Sequence, residues 1–125
     1  VDNIAKKITD SELELMELLW ERGDATVTDL RIAAADRLGW DASMTKTLLS
    51  RLVTKEAVAA EKRDVFHYTP NISREEYRQL TTRRLIDRLF GGSARNLAAS
   101  LVDCDQLTAE DIAELRAMFA PEDGQ

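Results

Sequence analysis

The sequence predicts a mainly α fold carrying one small β-hairpin, with helices on both sides of it. Three observations point there. Hydroxyl residues followed three positions later by an acid, the signature of a helix start, recur along the chain. Glycines stand where helical periodicity stops, as at Gly23 and Gly39. Only between Val58 and Thr69 does the pattern turn to short β-compatible runs.

Each element follows from its own residues. Thr9 and Glu12 frame a capping box, with Ile8 and Leu13 placed as a hydrophobic staple. That helix continues through Met16, Leu19 and Trp20 and stops at Gly23. Thr26 opens a second helix, with Leu30, Ala33, Ala34 and Leu38 at helical spacing and Gly39 at its end. Asp41 or Ser43 caps a third, which ends near Lys55. Val58–Lys62 and Val65–Thr69 then flank Arg63-Asp64 as a hairpin. Val65, Phe66 and Tyr68 favour strand, whereas Ala57, Ala59 and Ala60 favour it little. Pro70-Asn71 ends the hairpin. Ser73 and Glu76 frame a second capping box, and the helix behind it runs to Phe90 and breaks at Gly91-Gly92. Ser93 starts another helix, to about Asp103, and Thr108 caps the last. Three helices followed by a two-stranded hairpin is the layout of a winged helix-turn-helix. The predicted division is residues 1–71 for that domain and residues 72–125 for a helical region.

Composition narrows the function. A chain of 125 residues fits one domain with a short appended module. With 44% hydrophobic and 32% charged residues, wholesale disorder is excluded. The single cysteine, Cys104, allows no intramolecular disulfide and no cysteine cage, which suits a reducing, cytoplasmic setting. No apolar run approaches the ~18 residues of a membrane span, and no signal-peptide pattern opens the chain, so no membrane partner is expected. Catalysis has no support. His67 is the one histidine, Gly91-Gly92 lacks the strand and lysine of a phosphate loop, and Glu75, Glu76, Asp103, Asp105, Glu110 and Asp111 sit at helix junctions. No catalytic residue, metal site or cofactor is expected.

The net charge of −6 argues against nonspecific nucleic-acid affinity. The average hides a basic island, since Lys46, Arg51, Lys55, Lys62 and Arg63 fall between Ser43 and Arg63 with only Glu56 and Glu61 against them. The third helix explains its use. Thr45, Leu48, Leu49 and Leu52 recur at helical spacing and define an inward face. The opposite face holds Ser43, Lys46, Thr47, Ser50, Arg51 and Thr54, without an acid. Lysine and arginine contact phosphates and guanine edges, and serine and threonine donate to phosphates or touch thymine methyls. Lys62 and Arg63, at the hairpin turn, suit a phosphate or minor-groove contact. Thr26 and Thr28 add helix N-terminal N–H groups, with capping as the plainer use of their side chains.

At these residues the chain resembles a known family. The matching positions are Ile8, Ser11-Glu12, Met16 to Trp20, Gly39-Trp40, Lys46 to Leu52, Lys55-Glu56, Phe66 to Tyr68, Leu89 to Gly92 and Glu110 to Met118. Over almost its whole length the sequence looks like the penicillinase-repressor family of bacterial transcriptional repressors. The resemblance implies a homodimer that binds an inverted-repeat operator in double-stranded DNA through the winged helix. It carries the DNA contacts to Ser43, Met44, Lys46, Thr47 and Arg51, with Lys62 and Arg63 on the wing. Met44 stands where the family usually has threonine, and Thr45 where it has isoleucine or valine. A hydroxyl in the inward seam should weaken packing, so Thr45→Val is expected to add up to ~1 kcal/mol.

The helices after Ser73 carry an apolar surplus that three short helices cannot close on their own. Tyr77, Leu85, Leu89 and Phe90, then Leu97 and Leu101, then Ile112, Leu115 and Phe119 are the expected dimerisation residues. The resemblance also implies release by an inducing signal. Copper-responsive members end in paired C-x-C motifs, which Cys104 alone does not build. In the β-lactam branch an inducing protease cuts an Asn-Phe bond; the aligned bond here, Ser100-Leu101, departs from that pattern, which leaves the inducing signal open. Two other readings stay open: a protein-interaction winged helix that reads no DNA, favoured by the acidic total, and a metal- or redox-responsive regulator using Cys104.

Overall fold

The computed structural model describes residues 8–119. They form helix α1 (Asp10–Arg22), strand β1 (Ala25–Thr26), helices α2 (Val27–Leu38) and α3 (Ala42–Thr54), strands β2 (Val58–Lys62) and β3 (Phe66–Pro70), and helices α4 (Arg74–Leu89), α5 (Ala94–Asp103) and α6 (Ala109–Phe119). No described helix is long and apolar enough to cross a membrane.

The expected caps do the expected work. Thr9 Oγ1 accepts from the Glu12 N–H while Glu12 accepts from the Thr9 N–H. Thr26 and Asp29, Ser73 and Glu76, and Thr108 and Asp111 repeat the exchange. Gly39 ends α2 with φ +69°, a left-handed conformation that a side chain would strain.

The sheet is antiparallel in the order β1-β3-β2. β2 and β3 form the predicted hairpin, with Val58 opposite Pro70 and Lys62 opposite Phe66. β1 was not expected. Its two residues pair Ala25 with Tyr68 and Thr26 with His67, and a strand that short has no periodicity to read. The pairing clips the wing to the turn between α1 and α2. Ala25 and Thr26, in the connection between α1 and α2, therefore belong to the sheet.

Two compact units divide the chain between Thr82 and Arg83. The first is the winged helix-turn-helix. Its core takes Leu15, Met16 and Leu19 from α1, Leu30 and Ala34 from α2, Leu48, Leu49 and Leu52 from α3, and Val58 and Ile72 around the hairpin. The sequence places the end of this domain at Asn71, but the unit continues into α4. Tyr77 and Leu80 pack against the core, and the Tyr77 ring lies 5.8 Å from the Trp20 ring. Tyr77, expected at a dimer contact, is therefore engaged within its own unit. Trp20 Nε1 donates to the Ile72 carbonyl at 2.8 Å, which ties α1 to the start of α4.

The second unit holds the end of α4 with α5 and α6. None of these three helices contains a buried residue.

Candidate nucleic-acid interface

α3 is built to show one face. Asp41 caps it by accepting from the Met44 N–H at 2.7 Å. Thr45, Leu48, Leu49 and Leu52 are buried, as the spacing predicts. Ser43, Met44, Lys46, Thr47, Ser50 and Arg51 are all exposed. The Thr45 hydroxyl is not orphaned. It donates to the Asp41 carbonyl at 3.3 Å, which removes much of the expected gain from Thr45→Val.

The basic island is sorted by geometry that the linear sequence does not show. Lys55, at the end of α3, pairs with Glu12 of α1 at 2.5 Å. Glu12 has the look of a solvated helix acid in the sequence, yet only 1% of it is exposed. Burial pushes its carboxyl up, but the Lys55 ammonium and the Thr9 N–H outweigh that and hold it below the usual range. This pair fastens the far end of α3 to α1, so Lys55 braces the helix rather than extending its outward face.

The wing has two sides. On one, Lys62 Nζ lies 5.4 Å from the Phe66 ring centre. Phe66, Tyr68 and Ala60 share that side and, with Val27, Lys46, Leu49, Ser50 and Val53, line a cleft of about 370 Å³ between α3 and the sheet. Lys62 thus lies on the same side of the wing as the exposed face of α3. On the other side, Arg63 donates through Nε to Glu61 at 2.7 Å and pairs with Asp24 at 3.0 Å. Asp24 also bonds His67 Nδ1 at 2.7 Å. The His67 bond and then the Arg63 bond hold the Asp24 carboxyl below its ordinary range. Arg63 is therefore paired with two carboxylates of its own chain. Asp24 gave no sequence signal, because its partner His67 is 43 residues away.

In the second unit Leu85, Leu89, Leu115 and Phe119 are exposed, and Phe90, Leu97, Leu101 and Ile112 are half-buried. The Ser100-Leu101 bond lies inside α5. Cys104, just past that helix, is exposed.

Known proteins match this arrangement. The penicillinase repressor family covers residues 8–120. A penicillinase repressor of Bacillus licheniformis is 29% identical over 110 residues, which span 87% of this chain and 86% of that protein. Two solved structures are similar to the winged helix. One is the DNA binding domain of the repressor BlaI, and the other is the Bacillus licheniformis BlaI monomeric form in complex with the blaP half-operator. Each is 32% identical, has a TM-score of 0.52, and aligns 57% of this chain with 88% of that one.

Proposed function

The chain belongs to the penicillinase-repressor family, and on that premise we propose that it is a homodimeric transcriptional repressor whose winged helices read the two half-sites of an inverted-repeat operator in double-stranded DNA. The outward face of α3 carries this reading: it is exposed, basic and hydroxyl-rich, and it holds no acid. Lys46, Arg51 and Lys62 supply phosphate contacts that set the register, with Arg51 also suited to a guanine edge. Ser43, Met44, Thr47 and Ser50 are short or flexible enough to let the helix sit deep in the major groove. The role is a binding one, exercised in the cytoplasm, with no cofactor.

Dimerisation through the region after the winged helix is supported by its unfilled apolar surface. Leu89 is 66% exposed and Phe119 79% exposed. A second copy covers such residues by symmetry. A single reading head with few free cations binds weakly, and linking two supplies effective concentration. Release follows from an inducing signal, either a ligand or proteolysis in α5 at Ser100-Leu101. α5 has no buried residue, so it opens locally at small cost to admit a protease.

Light scattering and gel shift test this on the full chain and on residues 1–82, the extent of the first compact unit. The full chain should be a dimer. The fragment should fold as a monomer and bind a duplex selected from a random pool at least ~100-fold more weakly. A monomeric full chain, or a fragment with undiminished affinity, overturns the proposal.

A further inference from the structure

The cations of the winged helix fall into two sets. Arg22 pairs with Asp29, Arg37 with Glu21, Lys55 with Glu12, Arg63 with Asp24 and Glu61, and Arg74 with Glu17. Arg31, Lys46, Arg51, Lys62 and Arg78 make no ion pair with another described residue of this unit. A protein with a net charge of −6 has acids to spare for every cation. Cations left without one mark surfaces where the field is positive.

Lys46, Arg51 and Lys62 belong to the face already described. Arg78 does not, because its cleft also holds Asp10 and Glu14, beyond the Glu17 that pairs with Arg74, and these outweigh it. Arg31 has neither explanation. It stands on the outer stripe of α2 with Thr28, Ile32 and Ala35, all exposed. That stripe and Trp40, Asp41 and Ala42 line one cleft of about 350 Å³, so it adjoins the N-terminal end of α3. Asp41 is the acid of that cleft; it keeps its charge, but as the N-cap of α3 it faces the positive end of that helix, where it accepts from the Met44 N–H. Ile32, 65% exposed beside Arg31, gives the stripe an apolar edge suited to deoxyribose.

In a helix-turn-helix the reader's N-terminal residues meet the bases while the helix before it crosses the backbone. On that pattern a phosphate strand passing the start of α3 would meet this stripe, since both line one cleft. We propose that Arg31 is a phosphate contact that extends the DNA footprint from α3 onto α2, and that Arg63, held by Asp24 and Glu61, is not one. This rests on the DNA reading above and leaves Lys62 alone of the two wing residues expected from the sequence.

Salt dependence separates the two roles. Each phosphate neutralised adds about 0.9 to the slope of log K against log salt. Affinities of the full-length dimer for a random-sequence duplex and for a duplex selected from a random pool would be measured across a salt series. Arg31→Gln should weaken both alike and flatten the slope by about 0.9 per copy. Arg31→Lys should restore the slope. Arg63→Gln and Arg78→Gln should leave it at the wild-type value. Arg31→Gln with an unchanged slope overturns the Arg31 contact, even if affinity falls, because a structural defect removes no counterion. A flatter slope for Arg63→Gln overturns its exclusion. A wild-type chain that binds neither duplex overturns the DNA reading itself, a result that no Arg31 variant can mimic.

Discussion

The two units use similar amphipathic helices to opposite effect. In the winged helix the apolar stripes converge, and Leu15, Met16, Leu30 and Leu52 are at most 1% exposed. In the second unit, stripes of the same kind leave Leu89 66%, Met118 73% and Phe119 79% exposed. Periodicity says which face of a helix is apolar, and it is silent on what covers that face. The first unit covers the stripes that meet in its core and leaves Ile32, Val65 and Phe66 exposed outside it. The second requires something else to do so, and the proposed dimer is the cover whose chemistry matches.

The sharpest way to break this contrast is to truncate one apolar residue in each unit. Leu30→Ala removes a side chain with no exposed surface and should cost about 2–5 kcal/mol whatever the protein concentration. Leu115→Ala, at a position 38% exposed, should change the winged helix's own stability by no more than ~0.5 kcal/mol. Its effect should show as weaker self-association, so denaturant midpoints of wild type and variant should differ more at high protein concentration than at low. A large, concentration-independent loss at Leu115 would mean that the second unit has a core of its own.

Within the first unit, the Glu12–Lys55 pair is the main departure from an apolar core. Glu12→Gln keeps an acceptor for the Thr9 N–H but loses the charge facing Lys55, and should cost about 1–3 kcal/mol. The pH dependence has a definite sign. The Glu12 carboxyl in the fold lies below its ordinary 4.5. Its stabilisation is therefore present above about that pH and is lost as pH falls through the lower folded value. Acid unfolding of the glutamine variant should accordingly be shallower than that of the wild type. Parallel acid curves would show that Glu12 titrates the same way in both states.

What was legible in the sequence was local. Capping boxes act over three residues, and the outward face of α3 follows from helical spacing, so both were readable in advance. The rest depended on distant partners. Glu12 sits in a capping box typical of an exposed helix start, and only Lys55, 43 positions on, reveals why it is buried. Arg63 belongs to the basic island by position and to Asp24 by geometry. Tyr77 carries the same apolar signal as Leu85 or Leu89, yet Trp20 claims it for the first unit. Charge counted along the chain shows neither the pairing of Arg63 with Asp24 and Glu61 nor the lack of an ion pair between Arg31 and the other described residues, because pairing is a property of space.

The smallest expected effect tests how finely the first unit's core is fitted. Thr45 occupies a seam position otherwise filled by leucines, with no exposed surface. Valine has the same branching, so Thr45→Val leaves volume and rotamer nearly unchanged. Two terms then compete. Replacing the buried hydroxyl by a methyl gains roughly 0.8 kcal/mol. Losing the bond to the Asp41 carbonyl costs about 0.5–1.5 kcal/mol, toward the low end because the bond is 3.3 Å long. That carbonyl keeps the Thr45 N–H as a partner, also at 3.3 Å, so no acceptor is orphaned. The terms nearly cancel, and the denaturant midpoint should move by the equivalent of less than ~0.5 kcal/mol at constant m. DNA affinity should not change, since the side chain points away from the outward face. A gain above ~1 kcal/mol would mean that the hydroxyl bond contributes nothing. A comparable loss would mean that this hydroxyl fixes the first turn of α3, and with it the aim of the reading face.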